Sequence, residues 1–188
     1  MNRYLHSICI ILPGLFACLS NGCSGSLVEP VIVSNILIDE SFEKDHTPSL
    51  EGWQFGNPQL AQLVNEAPPD GGSWSLELTA DWAPTTGYVY RPVAEVKSGD
   101  IVRLTAFVRG SGRFGGRGII ILTTDPNRYT SNTKSASSAD TVWKQISVTD
   151  TLTLQTGDTL WVVLSSPVTE IVPFQQEFDL VRLEKITE

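Results

Sequence analysis

Apolar residues recur at every second position in this chain, in short runs that Gly, Pro, Asn or Asp bring to an end. Residues 101–109 show it most cleanly: Val102, Leu104, Ala106 and Val108 alternate with Arg103, Thr105, Phe107 and Arg109. Successive side chains of an extended strand point to opposite sides, so a period of two gives each strand one apolar face and one polar face. No long run keeps the period of an amphipathic helix. Further strand-like runs occupy 36–43, 52–55, 60–66, 74–80, 88–96, 117–124, 142–154, 159–165 and 177–186. Many short strands with turn residues between them predict an all-β fold, an antiparallel two-sheet sandwich. The run 117–124 is apolar on both faces and belongs at the centre of a sheet. The polar, small-residue stretch 130–140 reads as a mobile loop. The first and last runs read as paired neighbours.

The first residues carry a different signal. Asn2 and Arg3 precede an apolar run from Ile8 to Phe16, too short to cross a bilayer as a helix. A secretory signal has this form. Leu15-Phe16-Ala17-Cys18 resembles a bacterial lipobox, with Cys18 as the residue that takes the lipid, and Cys23 is a second candidate. The expected organisation is a signal over 1–17, a tether over 18–34 and one β-sandwich domain over 35–188. Lipidation would hold that domain at a membrane in the bacterial cell envelope without a spanning helix.

No cysteine follows Cys23, so the domain has no internal disulfide and depends on its apolar core. The formal net charge is −8. An acidic domain lacks the cationic field that draws phosphate backbones, which argues against nucleic acid as a partner.

Several motifs stand in a telling order. Phe42-Glu43 closes the first run and Gly52-Trp53 follows. Gly71-Gly72-Ser73-Trp74-Ser75-Leu76 opens a later strand, and Tyr90-Arg91-Pro92-Val93 leads through Gly99 to Arg109. Trp143-Lys144 opens another run, and Phe178-Asp179-Leu180-Val181 closes the chain. Together they resemble the jelly-roll carbohydrate-binding modules, the galactose-binding-like sandwiches of families four, nine and twenty-two. The resemblance spans roughly residues 36–185. It implies a jelly roll whose concave sheet binds a polysaccharide or other glycan, and a structural calcium joining the first and last strands, with Glu43 and Asp179 at the matching positions. This chain has Arg91 where those modules often carry Gln. It also has one extra residue between Arg91 and Gly99, which predicts a bulge.

Alternation nominates the binding residues. Leu160, Val162 and Leu164 face inward on their strand, so Trp161 faces outward with Val163. Aromatic faces cover the C–H side of a pyranose while polar groups bond its hydroxyls. Phe107, Arg109 and Trp161 are therefore the expected floor of a cleft, with Trp82, Tyr88 and Arg91 at its margin. Each also has a plainer reading: the rings as a satellite core, Arg109 as the partner of a carboxylate, Trp82 as a plug. Trp53, Trp74 and Trp143 read as core or core-edge residues.

Nothing marks an enzyme. His6 falls in the signal, and His46 in Lys44-Asp45-His46-Thr47-Pro48 reads as a turn residue. No nucleophile elbow, zinc motif or phosphate loop appears. Two roles follow from the sequence: non-catalytic glycan binding, and a structural or protein-docking envelope lipoprotein that engages another envelope protein and no sugar.

Overall fold

The computed structural model describes residues 33–80, 86–110, 116–126, 134–167 and 174–187, all but Val33 with their side chains. The signal, Cys18, Cys23, most of the tether and Trp82 lie outside the described residues. Thirteen strands are described: β1 (Val33–Glu40), β2 (Glu43–Lys44), β3 (Thr47–Pro48), β4 (Gln54–Phe55), β5 (Ala61–Val64), β6 (Ser75–Ala80), β7 (Gly87–Val93), β8 (Ile101–Gly110), β9 (Gly118–Thr123), β10 (Lys134–Ser138), β11 (Lys144–Thr151), β12 (Leu160–Ser166) and β13 (Phe174–Thr187). Among the described residues there is one 3₁₀ turn, Pro58–Leu60, which follows Asn57, whose side-chain oxygen accepts from the Gln59 N–H.

Two antiparallel sheets face each other, as the alternation requires. The first runs β11-β8-β13-β6-β5 with β1 also on β13, and the second runs β10-β9-β12-β7-β4. Between them lie Leu76, Leu78, Val102, Leu104, Ala106, Val108, Phe178 and Leu183 of the first sheet. Val89, Ile120, Leu122, Leu160, Val162 and Leu164 of the second meet them. Interiors this apolar supply the main stabilising term in a domain without disulfides.

The last strand organises the first sheet. One edge of β13 pairs with β8. The other edge is divided: β6 takes Phe174–Phe178 and β1 takes Val181–Thr187. The register slips between Asp179 and Arg182, and Leu180 holds a left-handed φ of 47°. That bulge is where the neighbour changes from one strand to the other. The expected pairing of first and last strands is present.

Some expectations need correcting. The first strand ends at Glu40, because Phe42 is left-handed (φ 56°) and turns its fully buried ring into the core. Glu43 instead begins a two-stranded ribbon whose tip, Asp45-His46, has two positive φ values, as a type I′ hairpin demands. The stretch read as a mobile loop holds a strand: Lys134–Ser138 pairs with β9, and small side chains serve an edge strand. The extra residue between Arg91 and Gly99 makes no bulge within β7. The strand stops at Val93, and Glu95 takes the left-handed conformation in the turn beyond it.

Candidate functional site

The register distributes the five described ligand candidates, Phe107, Arg109, Trp161, Tyr88 and Arg91, over two sheets; the sixth, Trp82, lies outside the described residues. Phe107 and Arg109 face outward from the first sheet, because Ala106 and Val108 between them point into the core. Trp161 faces outward from the second, because Leu160 and Val162 point inward. The outer faces of a sandwich look in opposite directions, so Phe107, Arg109 and Trp161 form no common floor. Arg91 is not marginal either. It shares the parity of Val89 and Val93 and stands opposite Val162, so it turns inward, where its Nη1 donates to Glu40 Oε2 at 3.1 Å. Trp53 Nε1 donates to the same oxygen at 3.4 Å. Burial raises the Glu40 pKa against the pull of the Phe42 N–H, Trp53 and Arg91.

On the outer face of the second sheet, Tyr88 and Tyr90 of β7 stack with centroids 6.0 Å apart. Trp161 of the neighbouring β12 meets Tyr90 edge-on at 5.5 Å. Aromatic pairs favour these offset and edge geometries. Tyr88, Tyr90 and Trp161 are all half-buried, and beside them Val163, Ser165, Ile121 and Thr123 are buried although they face away from the core. The described outward positions of this sheet also include Gln54, Pro92, Ile119, Ser135 and Ser137. None is charged, in a chain with 21 acidic and 13 basic residues. Tyr90 is the member of this row that sequence reasoning did not select; its two-residue spacing from Tyr88 and the alternation of β7 carried the signal.

The first sheet's outer face is the opposite in character. Arg109, Glu177, Glu77 and Gln62 form one row across β8, β13, β6 and β5. Arg109 bonds both Glu66 and Glu177, and its guanidinium lies 5.0 Å from the centre of the Trp143 ring. Trp143 is thus a lid over a cation, not a core residue. Glu77 accepts from Gln62 and from Gln175. Burial raises the Glu177 pKa, offset in part by Arg109. The row borders an open hollow of about 440 Å³. Of the two readings of Arg109, pairing with carboxylates is the one seen here.

A third group lies at the divided edge of β13. Asp179 is fully buried; its Oδ1 accepts from the Leu180 N–H at 2.7 Å, and its Oδ2 has no partner. Glu43 Oε1 accepts from the Ser73 N–H at 2.6 Å. Both carboxylates press on the turn at Gly71 and Gly72: a Cβ on Gly71 would overlap Asp179 Oδ2, and one on Gly72 would overlap Glu43 Oε2. Burial, with the nearby charges of Glu43 and Glu40, pushes the Asp179 pKa up to about 8 against the Leu180 N–H. A buried carboxylate with an unpartnered oxygen and negative neighbours lacks a positive charge. That fits a hard divalent cation with Glu43 and Asp179 as two of its ligands. Among the described residues no three acidic, histidine or cysteine side chains converge as a metal cage, so further oxygens must come from hydroxyls or the main chain.

No family model matches the chain. No curated protein matches it either. Solved structures do. A family 22 xylan-binding module of a Paenibacillus barcinonensis xylanase is 15% identical, with a TM-score of 0.59, over 83% of this chain and 97% of that one. A family 16 carbohydrate-binding module is 19% identical, with a TM-score of 0.56, over 79% and 99%. A cyclase from Fischerella sp. TAU is 14% identical, with a TM-score of 0.57, over 81% and 98%. At these identities the likeness establishes a fold: an all-β jelly roll of the carbohydrate-binding-module kind.

Proposed function

We propose that this domain binds a glycan without catalysis, on the outer face of its second sheet. The observation that carries this reading is the row Tyr88, Tyr90 and Trp161, half-open and held ring against ring on an uncharged face. Rings fixed in this way stack on a sugar at little entropic cost. The family 22 neighbour is a xylan-binding domain, which supports a polysaccharide as the class of ligand. Because the cyclase has the same fold, the fold does not decide catalysis. The chemistry here supports binding: His46 is an exposed turn residue, and Glu77 and Glu177 are tied to amides and a guanidinium.

In this reading the cation at Glu43 and Asp179 is structural calcium, set far from the rings in role, stabilising a domain without disulfides. Export and lipid attachment through Cys18, with Cys23 as the second candidate, complete the proposal and rest on the first residues of the sequence.

Affinity electrophoresis in gels containing xylan, β-glucan, mannan and pectin tests the glycan reading. Retardation by at least one polymer, lost in Trp161→Ala and in Tyr90→Ala, supports it. No retardation by any polymer moves the case to a protein-docking envelope lipoprotein.

A further inference from the structure

We infer that the Ser75 hydroxyl is a third side-chain ligand of the cation at Glu43 and Asp179, so that the ion ties β6 into the joint where β1 and β6 meet on β13. The inference rests on the cation reading given above and concerns which groups of this chain complete it.

Glu40, the third carboxylate whose charge reaches Asp179, is already committed. Its Oε1 accepts from the Phe42 N–H, and its Oε2 accepts from Trp53 and Arg91. Glu43 keeps Oε2 for an ion and Asp179 keeps Oδ2, which provides two negative charges for a divalent cation and too few oxygens.

Ser75 supplies another oxygen where one is needed. It is the first residue of β6, it is fully buried, and its Oγ has no hydrogen-bond partner. The β6–β13 ladder pairs Leu76 with Phe178. One further step of that register sets Ser75 opposite Asp179 on the same face, where directly opposed side chains lie about 5 Å apart. Two fully buried polar groups, each with an oxygen left unpaired, therefore stand side by side at the change of neighbour along β13. Buried polar groups are normally paired, and a shared cation satisfies both at once.

The placement has a mechanical meaning. Asp179 belongs to β13, Glu43 follows β1, and Ser75 opens β6. An ion held by all three closes the gap at the bulge, which no strand pairing covers.

Calcium chloride titrated into the full chain, followed by calorimetry and by thermal melting, tests this. Wild type is expected to bind calcium and melt at a higher temperature with it than in EDTA. Ser75→Ala is expected to bind calcium at least tenfold more weakly, yet to melt in EDTA at or above the wild-type temperature, since it removes a buried hydroxyl with nothing to bond. Wild-type calcium affinity in Ser75→Ala overturns the role of Ser75 and leaves the two-carboxylate site standing. Failure of the wild type itself to bind calcium overturns the cation reading, and this inference with it.

Discussion

Trp161 meets Tyr90 edge-on, ring centres 5.5 Å apart, across the ladder that pairs β12 with β7. Phe107, the ring that the sequence placed beside Trp161, lies on the far side of the core. The binding face can therefore be tested by side. Trp161→Ala and Tyr90→Ala are each expected to weaken glycan binding about tenfold, a loss of about 1.4 kcal/mol. Phe107→Ala should leave binding unchanged. Isothermal titration with the polymer selected by electrophoresis decides this; equal losses from both sheets would refute the assignment to one face.

Arg109 has a structural task on the other sheet. Its removal leaves Glu177, only 4% exposed, without its cation. Arg109→Ala is expected to cost about 2 kcal/mol, the order for a charged group stripped of its partner. Urea unfolding measures the loss, and glycan affinity should survive it. A stable variant that has lost binding would return Arg109 to the site.

Gly72 and Gly99 offer a controlled comparison. Both are left-handed, with φ of 82° and 88°, so an added Cβ strains each by about 1–2 kcal/mol. At Gly99 the Cβ would meet nothing, whereas at Gly72 it would strike the Glu43 carboxylate. Gly72→Ala should destabilise more than Gly99→Ala, and it alone should weaken calcium binding. Equal melting temperatures in calcium would show that the Gly71–Gly72 turn does not need its closeness to Glu43.

Asp179 predicts an unusual pH profile in chelator. Its folded pKa, about 8, lies above the unfolded carboxylate value, so between those limits the native state binds more protons than the unfolded state. Stability should then fall as pH rises from about 4 to about 8. The raised Glu40 and Glu177 act in the same direction; Asp100, lowered chiefly by its bond to Lys185, acts oppositely and only at the acid end. Melting temperature against pH in EDTA reads the slope, and Asp179→Asn should flatten it. A profile that instead rises toward pH 8 would contradict the buried, uncompensated carboxylate.

The sequence by itself determined which residues of each strand face the core. Alternation is a local property of extended backbone, so Val102, Leu104, Ala106 and Val108, and likewise Leu160, Val162 and Leu164, were legible as inward without knowing their neighbours. It also carried the pairing of the chain's two ends, whereas the Gly71–Gly72 turn that brings Glu43 and Asp179 together came only with the structure. Which sheet each strand joins was not legible. Strand order is set by long-range pairing, and nothing local to β8 or β12 says that their outward residues end on opposite sides of the sandwich. Arg91 shares the parity of Val89 and Val93, but that it meets Glu40, on a different strand, was not legible. Tertiary structure alone decided those matters, because alternation fixes a side chain's direction relative to its own strand and says nothing of what that direction faces.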